Sequence, residues 1–248
     1  MNPLARVLYA IAPRLLARPT RALRGMLQLF LVPLLFALSV SLASTTSSPL
    51  LPPAMSDSSH IYYANQDVDQ LRAGLEAAGE RSDKLLYRYR LYPLTEDADV
   101  LSGIPSSLDG ASARELALLA GLWAYRAGEA STLGAIRYGR RSVNLINAAR
   151  EKDPLDPFVL LIEGQSLLYR PSMAGGNPHI AAGRFEQLRT VLGINDDVPI
   201  EQEEAMIWHW IALQEANEND RAASLHDELA QADLRPLYRQ FLESPPQV

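Results

Sequence analysis

The chain has 248 residues, 48% of them apolar and 21% charged, which is the balance of a globular protein with one sizeable domain or an elongated array of helices. It contains no cysteine, which excludes disulfides, zinc–thiolate sites and a lipid attached through cysteine. Its formal net charge is −6, so nucleic-acid binding, which needs a basic face to neutralise phosphates, is not expected.

Residues 1–43 predict a leader for export. They contain five arginines and no acidic residue, and residues 26–43 form an apolar run. Ser41 and Ala43 are small residues at the two positions that a signal peptidase reads. A membrane anchor is the alternative, because about 18 apolar residues can just span a bilayer, and a buried core helix is the third interpretation. In the first two cases the remainder is exported, to the periplasm or elsewhere outside the cytoplasm, and membrane contact is expected only through residues 1–43 if they are not cleaved.

The leader hides how acidic the remaining chain is. It holds five of the 23 basic residues and none of the 29 acidic ones, so 18 basic residues and a net charge of −11 remain without it. Residues 44–59 are rich in Ser, Thr and Pro and predict a disordered tether. A helical domain is expected over residues 60–248.

Within that domain, apolar residues recur at helical spacing and the segments carry helix caps. Ser112 and Glu115 form a capping-box pattern, and Asp156 and Asn177 each precede a proline, as N-cap residues do. Pro93 is expected to end the second helix. The predicted helices span residues 67–78, 82–92, 113–127, 131–151, 157–169, 178–192, 201–216, 220–232 and 235–242. No segment alternates with the period of a strand, so the predicted fold class is all-α.

The long helix at 131–151 has two contrasting faces. Its predicted apolar stripe comprises Leu133, Ile136, Val143, Ile146 and Ala149. Opposite the stripe, Arg137, Arg140 and Arg141 form a cluster at helical spacing. The cluster is either a solvated face paired with neighbouring acids or a site for an acidic partner or carboxylate ligand, which suits the arginine fork.

Short loops between the helices predict antiparallel pairs, and pairs in series predict a solenoid. Three first helices of a pair align at a small residue, Gly121, Gly164 or Ala212, which would let the paired helix approach closely. The spacings of 43 and 48 residues exceed the roughly 34 residues of a tetratricopeptide unit, so degenerate repeats with insertions are expected.

One stretch of the sequence carries a family resemblance. It comprises DPLDP at 153–157, Gly164, PSMAGGNP at 171–178, Ala181 and Phe185. This pattern resembles bacterial exported tetratricopeptide-like proteins, and among them the T component associated with tripartite periplasmic transporters. The resemblance covers about residues 110–232, and it implies a tetratricopeptide-like fold and a transporter component as one possible partner.

The sequence offers no catalytic or metal-binding pattern. None of the four histidines, which are His60, His179, His209 and His226, has the spacing of metal ligands. There is no nucleophile elbow and no Walker loop, so we predict neither an enzyme nor a cofactor. Gly175 and Gly176 are interpreted as positive-φ positions of a tight turn into the cap Asn177, with direct ligand contact as the alternative.

Trp208, His209 and Trp210 form the densest aromatic spot. Helical spacing favours Trp208 as a core residue and His209 as a surface or hydrogen-bonded side chain. The alternative is that His209 and Trp210 line a concave groove.

The favoured function is an exported helical-repeat scaffold that binds a protein or peptide on its concave side. A small-ligand-binding accessory of a periplasmic transport system is the alternative. A closed pocket lined by Trp210 or by the arginines would favour a ligand, whereas an open groove would favour a peptide.

Overall fold

The computed structural model describes residues 58–195 and 197–248. The predicted leader, the alternative anchor and the tether up to residue 57 lie outside these ranges. The described residues contain ten α-helices and no strand, which confirms the all-α class. The helices are α1 Ser59–Ala64, α2 Val68–Ala77, α3 Arg81–Thr95, α4 Ala113–Glu129, α5 Thr132–Lys152, α6 Pro157–Tyr169, α7 Pro178–Leu192, α8 Gln202–Glu215, α9 Asn219–Gln231 and α10 Pro236–Glu243. No helix of the described ranges has both the length and the apolar character needed to cross a membrane.

The predicted helix caps are confirmed. Ser112 Oγ accepts a hydrogen bond from the Glu115 amide at 3.2 Å, and the Ser112 amide donates to the Glu115 carboxylate at 2.8 Å. The Asp156 carboxylate accepts from two amides of the first turn of α6, and the Asn177 side chain accepts from one amide of α7. These bonds satisfy amides that have no partner inside the helix, so they fix where α4, α6 and α7 begin.

The prediction that Pro93 ends a helix is wrong, because α3 passes through it and continues to Thr95. Pro93 lies in the last turn, where its missing amide leaves only the Tyr89 carbonyl without its helical partner. The helix ends instead at Thr95 and is capped by Glu96, whose φ is 50° and whose amide donates to the Tyr92 carbonyl.

Helix α1 was not predicted from the sequence. It spans Ser59–Ala64 and begins at the last residue of the predicted tether. Ser59, Tyr63 and Ala64 are buried, so this helix belongs to the core of the domain. Six residues are too few for helical periodicity to be recognisable in a sequence.

The buried face of α5 differs from the predicted apolar stripe. Leu133 is 81% exposed and Ile136 is 39% exposed. The buried residues are Ala135, Ser142, Ile146 and Ala149. Small side chains dominate this face because α5 packs closely on α4, and Ser142 Oγ donates a hydrogen bond to the Ala120 carbonyl at 2.8 Å.

Consecutive helices contact each other along the chain, and α7 packs on α8 as extensively as it packs on α6. The predicted solenoid of antiparallel helix pairs is therefore not confirmed. In a solenoid each repeat contacts only its neighbours, whereas here α10 contacts α1 and a buried ion pair joins Arg90 of α3 to Glu204 of α8. Most residues of α6 and of α8 are buried, so these two helices do not line an open groove.

Two of the three aligned small residues allow a close approach, but only Gly164 does so for the helix with which it was predicted to pair. A Cβ at Gly164 would lie 2.5 Å from the ring of Phe185 on the paired helix α7. A Cβ at Gly121 would lie 2.7 Å from the ring of Tyr89, which belongs to the preceding helix α3 and not to the paired α5. Gly164 therefore makes room for the helix that follows it, whereas Gly121 makes room for the helix that precedes it.

Candidate functional site

Three arginines of α5 share one open cleft, which we call the arginine cleft. Its volume is about 380 Å³, and its lining residues are Ser106, Arg137, Arg140, Arg141, Asn144 and Leu145. The helical spacing of the arginines brings their side chains to adjacent turns. The sequence-predicted cluster therefore forms one wall of a cleft, and the connection between α3 and α4 contributes Ser106.

Two side chains of α4 hold that connection in place. Trp123 Nε1 donates a hydrogen bond to the Pro105 carbonyl at 3.0 Å, and Arg126 Nη1 donates to the Leu101 carbonyl at 2.9 Å. These bonds anchor the backbone on both sides of its bend, and they place Ser106 beside the arginines of α5.

Aromatic rings support the arginine side chains. The ring centroids of Trp123 and Tyr138 lie 5.2 Å apart. The Arg141 guanidinium carbon lies 4.6 Å from the Trp123 ring centroid, and that of Arg126 lies 5.6 Å from Trp123 and 5.5 Å from Tyr138. Such cation–π contacts restrict the guanidinium groups without neutralising their charge.

The cleft arginines have no carboxylate partner among the described residues. The ion pairs of that part of the chain involve Arg72, Arg81, Arg90, Arg114, Arg150, Arg184, Arg189, Arg221, Arg235 and Arg239. Arg137, Arg140 and Arg141 are in none of these pairs. Pairing with neighbouring acids is therefore not seen, and the cleft retains positive charge in an otherwise acidic domain.

His209 and Trp210 do not line an open groove, because both are buried in α8. His209 Nδ1 lies 3.5 Å from Arg189 Nη1, and its Nε2 has no hydrogen-bond partner within the described ranges. Burial, together with the nearby Arg189, lowers the pKa of His209 to about 4. Trp210 packs against the ring of His226, with centroids 5.7 Å apart.

The two glycines before α7 have different structural roles. Gly175 has a φ of 91°, as interpreted from the sequence. Gly176 does not have a positive φ, so that interpretation is wrong for it. A Cβ at Gly176 would instead collide with the Arg170 carbonyl. The Asn177 amide then donates to the Leu167 carbonyl at 2.9 Å, which closes the turn before the cap.

Sequence reasoning missed a buried polar cluster that joins α3 to α8. Arg90 pairs with Glu204, and Arg90 Nη2 donates to the Pro199 carbonyl at 3.2 Å. The Tyr63 ring centroid lies 4.5 Å from the Arg90 guanidinium carbon, and the Tyr238 hydroxyl lies 3.5 Å from Glu204 Oε2. Burial and the Glu204 carboxylate raise the pKa of Tyr63 above its usual range. Because all of these residues are buried, we interpret the cluster as structural.

A second open cleft, of about 630 Å³, lies where α3, α4 and α6 begin and α5 ends. Its lining includes Arg114, Lys152, Asp153 and Asp156, and Arg114 Nε lies 3.4 Å from the Asp156 carboxylate. Its charges are mixed and partly paired, so it is a weaker binding candidate than the arginine cleft. The described residues contain no group of three histidines or acids positioned to hold a metal ion.

Comparison of the chain with known protein families, with curated proteins and with solved structures found no match. The resemblance to the transporter-associated T component therefore stays a prediction, and function has to be argued from the site.

Proposed function

We propose that this chain is an exported helical scaffold that binds an acidic protein or peptide partner through the arginine cleft. One observation carries the proposal. Arg137, Arg140 and Arg141 line one open cleft, and no carboxylate among the described residues pairs with them. Export is supported by the pattern of residues 1–43.

The chemistry of the cleft favours carboxylates. A guanidinium group can donate two parallel hydrogen bonds to a carboxylate, and this geometry adds specificity to the charge attraction. Because Arg141 lies against the Trp123 ring, less conformational freedom is lost when a partner binds it. The surrounding net charge of −11 repels an acidic partner elsewhere, which would orient it toward the cleft.

This site differs from the concave side on which the sequence led us to expect a partner. Helices α6 and α8, which would line such a surface, are largely buried. The outer face of α5 has both exposed side chains and unpaired charge, so the proposal places the partner there.

A carboxylate-bearing small molecule, delivered to a periplasmic transport system, is the second candidate. The volume of about 380 Å³ is within the range of ligand pockets and supports it. Ligand pockets, however, enclose most of the ligand, whereas this cleft is open. The open form favours a protein or peptide.

A pull-down from periplasmic extract tests the proposal. The charge-reversed variant Arg137→Glu/Arg140→Glu is compared with the wild-type chain and with Arg72→Glu/Arg239→Glu. The control reverses two exposed arginines that already pair with Asp97 and Asp233. We expect a protein that co-purifies with wild type and control but not with the cleft variant.

Circular dichroism of each variant verifies that the helices are intact. Recovery of the same proteins with all three baits would contradict the proposal. Recovery of small molecules alone would favour the second candidate.

A further inference from the structure

We infer that the partner binds as an amphipathic helix lying along α5, with acidic side chains on the arginines and an apolar side chain on Leu133 and Ile136. This inference rests on the proposed function and specifies the partner. It follows from the composition of one helical face, which we call the α5 outer face. Its residues are Leu133, Ile136, Arg137, Arg140 and Asn144.

The α5 outer face is continuous. Its members are separated by three, four, seven and eleven residues from Leu133, which is the spacing of a single side of a helix. All five residues are exposed. Apolar and basic side chains therefore stand next to each other on a surface that no described element covers.

An exposed leucine alone carries little information, because many surfaces contain one. Here two exposed aliphatic residues lie within one turn of arginines that have no carboxylate partner in the described ranges. Covering Leu133, whose side chain is largely exposed, would strengthen binding by about tenfold. A partner with acidic residues alone would contact the arginines but would leave Leu133 and Ile136 uncovered.

The geometry defines the length and pattern of the partner. From Leu133 to Asn144 the helix rises roughly 16 Å, which a partner helix of about three turns would cover. Leu133 and Arg140 are two turns apart. A complementary helix would carry two acidic residues one turn apart and, on the same face, an apolar residue about one turn from the nearer acid and two turns from the farther one.

A lipid surface is a poorer fit to the same face. The chain after the leader has a net charge of −11 and would be repelled by an anionic bilayer. The two aromatic residues nearest to the arginines, Trp123 and Tyr138, are buried or half-buried and engaged in ring contacts, so they cannot serve as interfacial anchors.

A displayed library of helix-forming peptides of 14 residues tests the inference. The library is selected on the full-length chain, and each enriched peptide is then measured on Arg137→Glu/Arg140→Glu. We expect enriched peptides to carry acidic residues three or four positions apart and an apolar residue about four positions from the nearer acid and about seven from the farther one. A scrambled version of an enriched peptide, with the same composition, should bind about tenfold more weakly.

Substitution of the aliphatic residues on the α5 outer face distinguishes the helical partner from the proposed function. Leu133→Ser/Ile136→Ser should weaken the enriched peptide about tenfold, as measured by fluorescence anisotropy. The matched control Leu155→Ser/Ile194→Ser changes two exposed aliphatic residues elsewhere and should have no effect.

If Leu133→Ser/Ile136→Ser binds the enriched peptide as the wild type does while Arg137→Glu/Arg140→Glu does not, the helical partner is overturned and the proposed function stands. If Arg137→Glu/Arg140→Glu also binds it normally, the helical partner and the proposed function are both overturned. Competition of phosphatidylglycerol vesicles with the peptide, or dimerisation that Leu133→Ser/Ile136→Ser abolishes, would equally overturn the helical partner in favour of a membrane or a second copy.

Discussion

At the residue scale, Arg90 and Glu204 form a buried ion pair between α3 and α8. Removing one partner leaves the other charge buried and uncompensated, so we expect Arg90→Met to lower the free energy of unfolding by about 3–5 kcal/mol. The double variant Arg90→Met/Glu204→Met should recover most of that loss, since it removes both charges. Urea denaturation measures both values.

The exposed pair Arg72–Asp97 provides the control for this prediction. Arg72→Met should cost less than about 1 kcal/mol, because solvent screens an exposed pair. Equal losses for Arg72→Met and Arg90→Met would show that the buried pair has no special role.

His209 makes stability depend on pH. Its pKa of about 4 in the folded chain is below the ordinary value of 6.5, mainly because of burial and Arg189, while Glu186 and Glu218 oppose the shift and Arg221 adds to it. The unfolded chain therefore binds the proton more readily, and stability is fully present above pH 6.5 and falls as the pH drops toward 4. The free energy of unfolding should be roughly 3 kcal/mol lower at pH 4 than above pH 6.5.

Urea denaturation between pH 4 and 7.5 measures this dependence. In His209→Gln the fall between pH 6.5 and 4 should be smaller than in the wild type, whereas His226→Gln, which alters an exposed ring, should preserve it. If His209→Gln has the same pH profile as the wild type, the charge of His209 is not responsible.

At the scale of the helices, Asp156 caps α6 through two amides of its first turn. Asp156→Ala should lower the free energy of unfolding by about 1–2 kcal/mol, because two amides lose their acceptor. Asp156→Ser should recover most of this lost stability, since a serine hydroxyl can also accept hydrogen bonds from the first-turn amides. Chemical denaturation checks both, and equal losses for alanine and serine would point to the ion pair with Arg114 instead.

Most helix positions could be predicted because their signals are local. The caps at Ser112, Asp156 and Asn177 lie within three residues of the amides that they bind. The buried face of α5 could not be predicted, because the fit against α4 selects Ala135 and Ser142 over the more apolar Leu133. The sequence of α5 therefore indicated that this segment forms a helix, but it did not indicate which side of the helix is buried.

The candidate site was also predictable only in part. The spacing of Arg137, Arg140 and Arg141 sufficed to place them together. The support from Trp123 and the lack of carboxylate partners depend on how distant segments pack. The surface position favoured for His209 and the alternative groove are both wrong, because every residue from 204 to 213 of α8 is buried and its sequence has no apolar stripe from which an exposed face could be identified.

At the scale of the whole described domain, contact between α1 and α10 links its two ends. Deletion of residues 236–248 should therefore raise amide hydrogen exchange in α1 and α3 as well as in α8. Tyr238 of α10 lies beside Glu204, so the deletion also exposes the buried ion pair. Exchange that rises only in α8 and α9 would instead indicate the local coupling of an open repeat array.

The contact between Arg141 and Trp123 has a spectroscopic consequence. A carboxylate that pairs with the guanidinium where it lies, against the indole, offsets its charge and so changes the electric field at that ring, and therefore its emission. In Trp208→Phe/Trp210→Phe, Trp123 is the only tryptophan of the chain, and its emission should shift when an acidic peptide is added. With Arg141→Ala added, the shift should already be present without the peptide. The cleft thus contains its own fluorescent reporter of occupancy, and titrations need no attached dye.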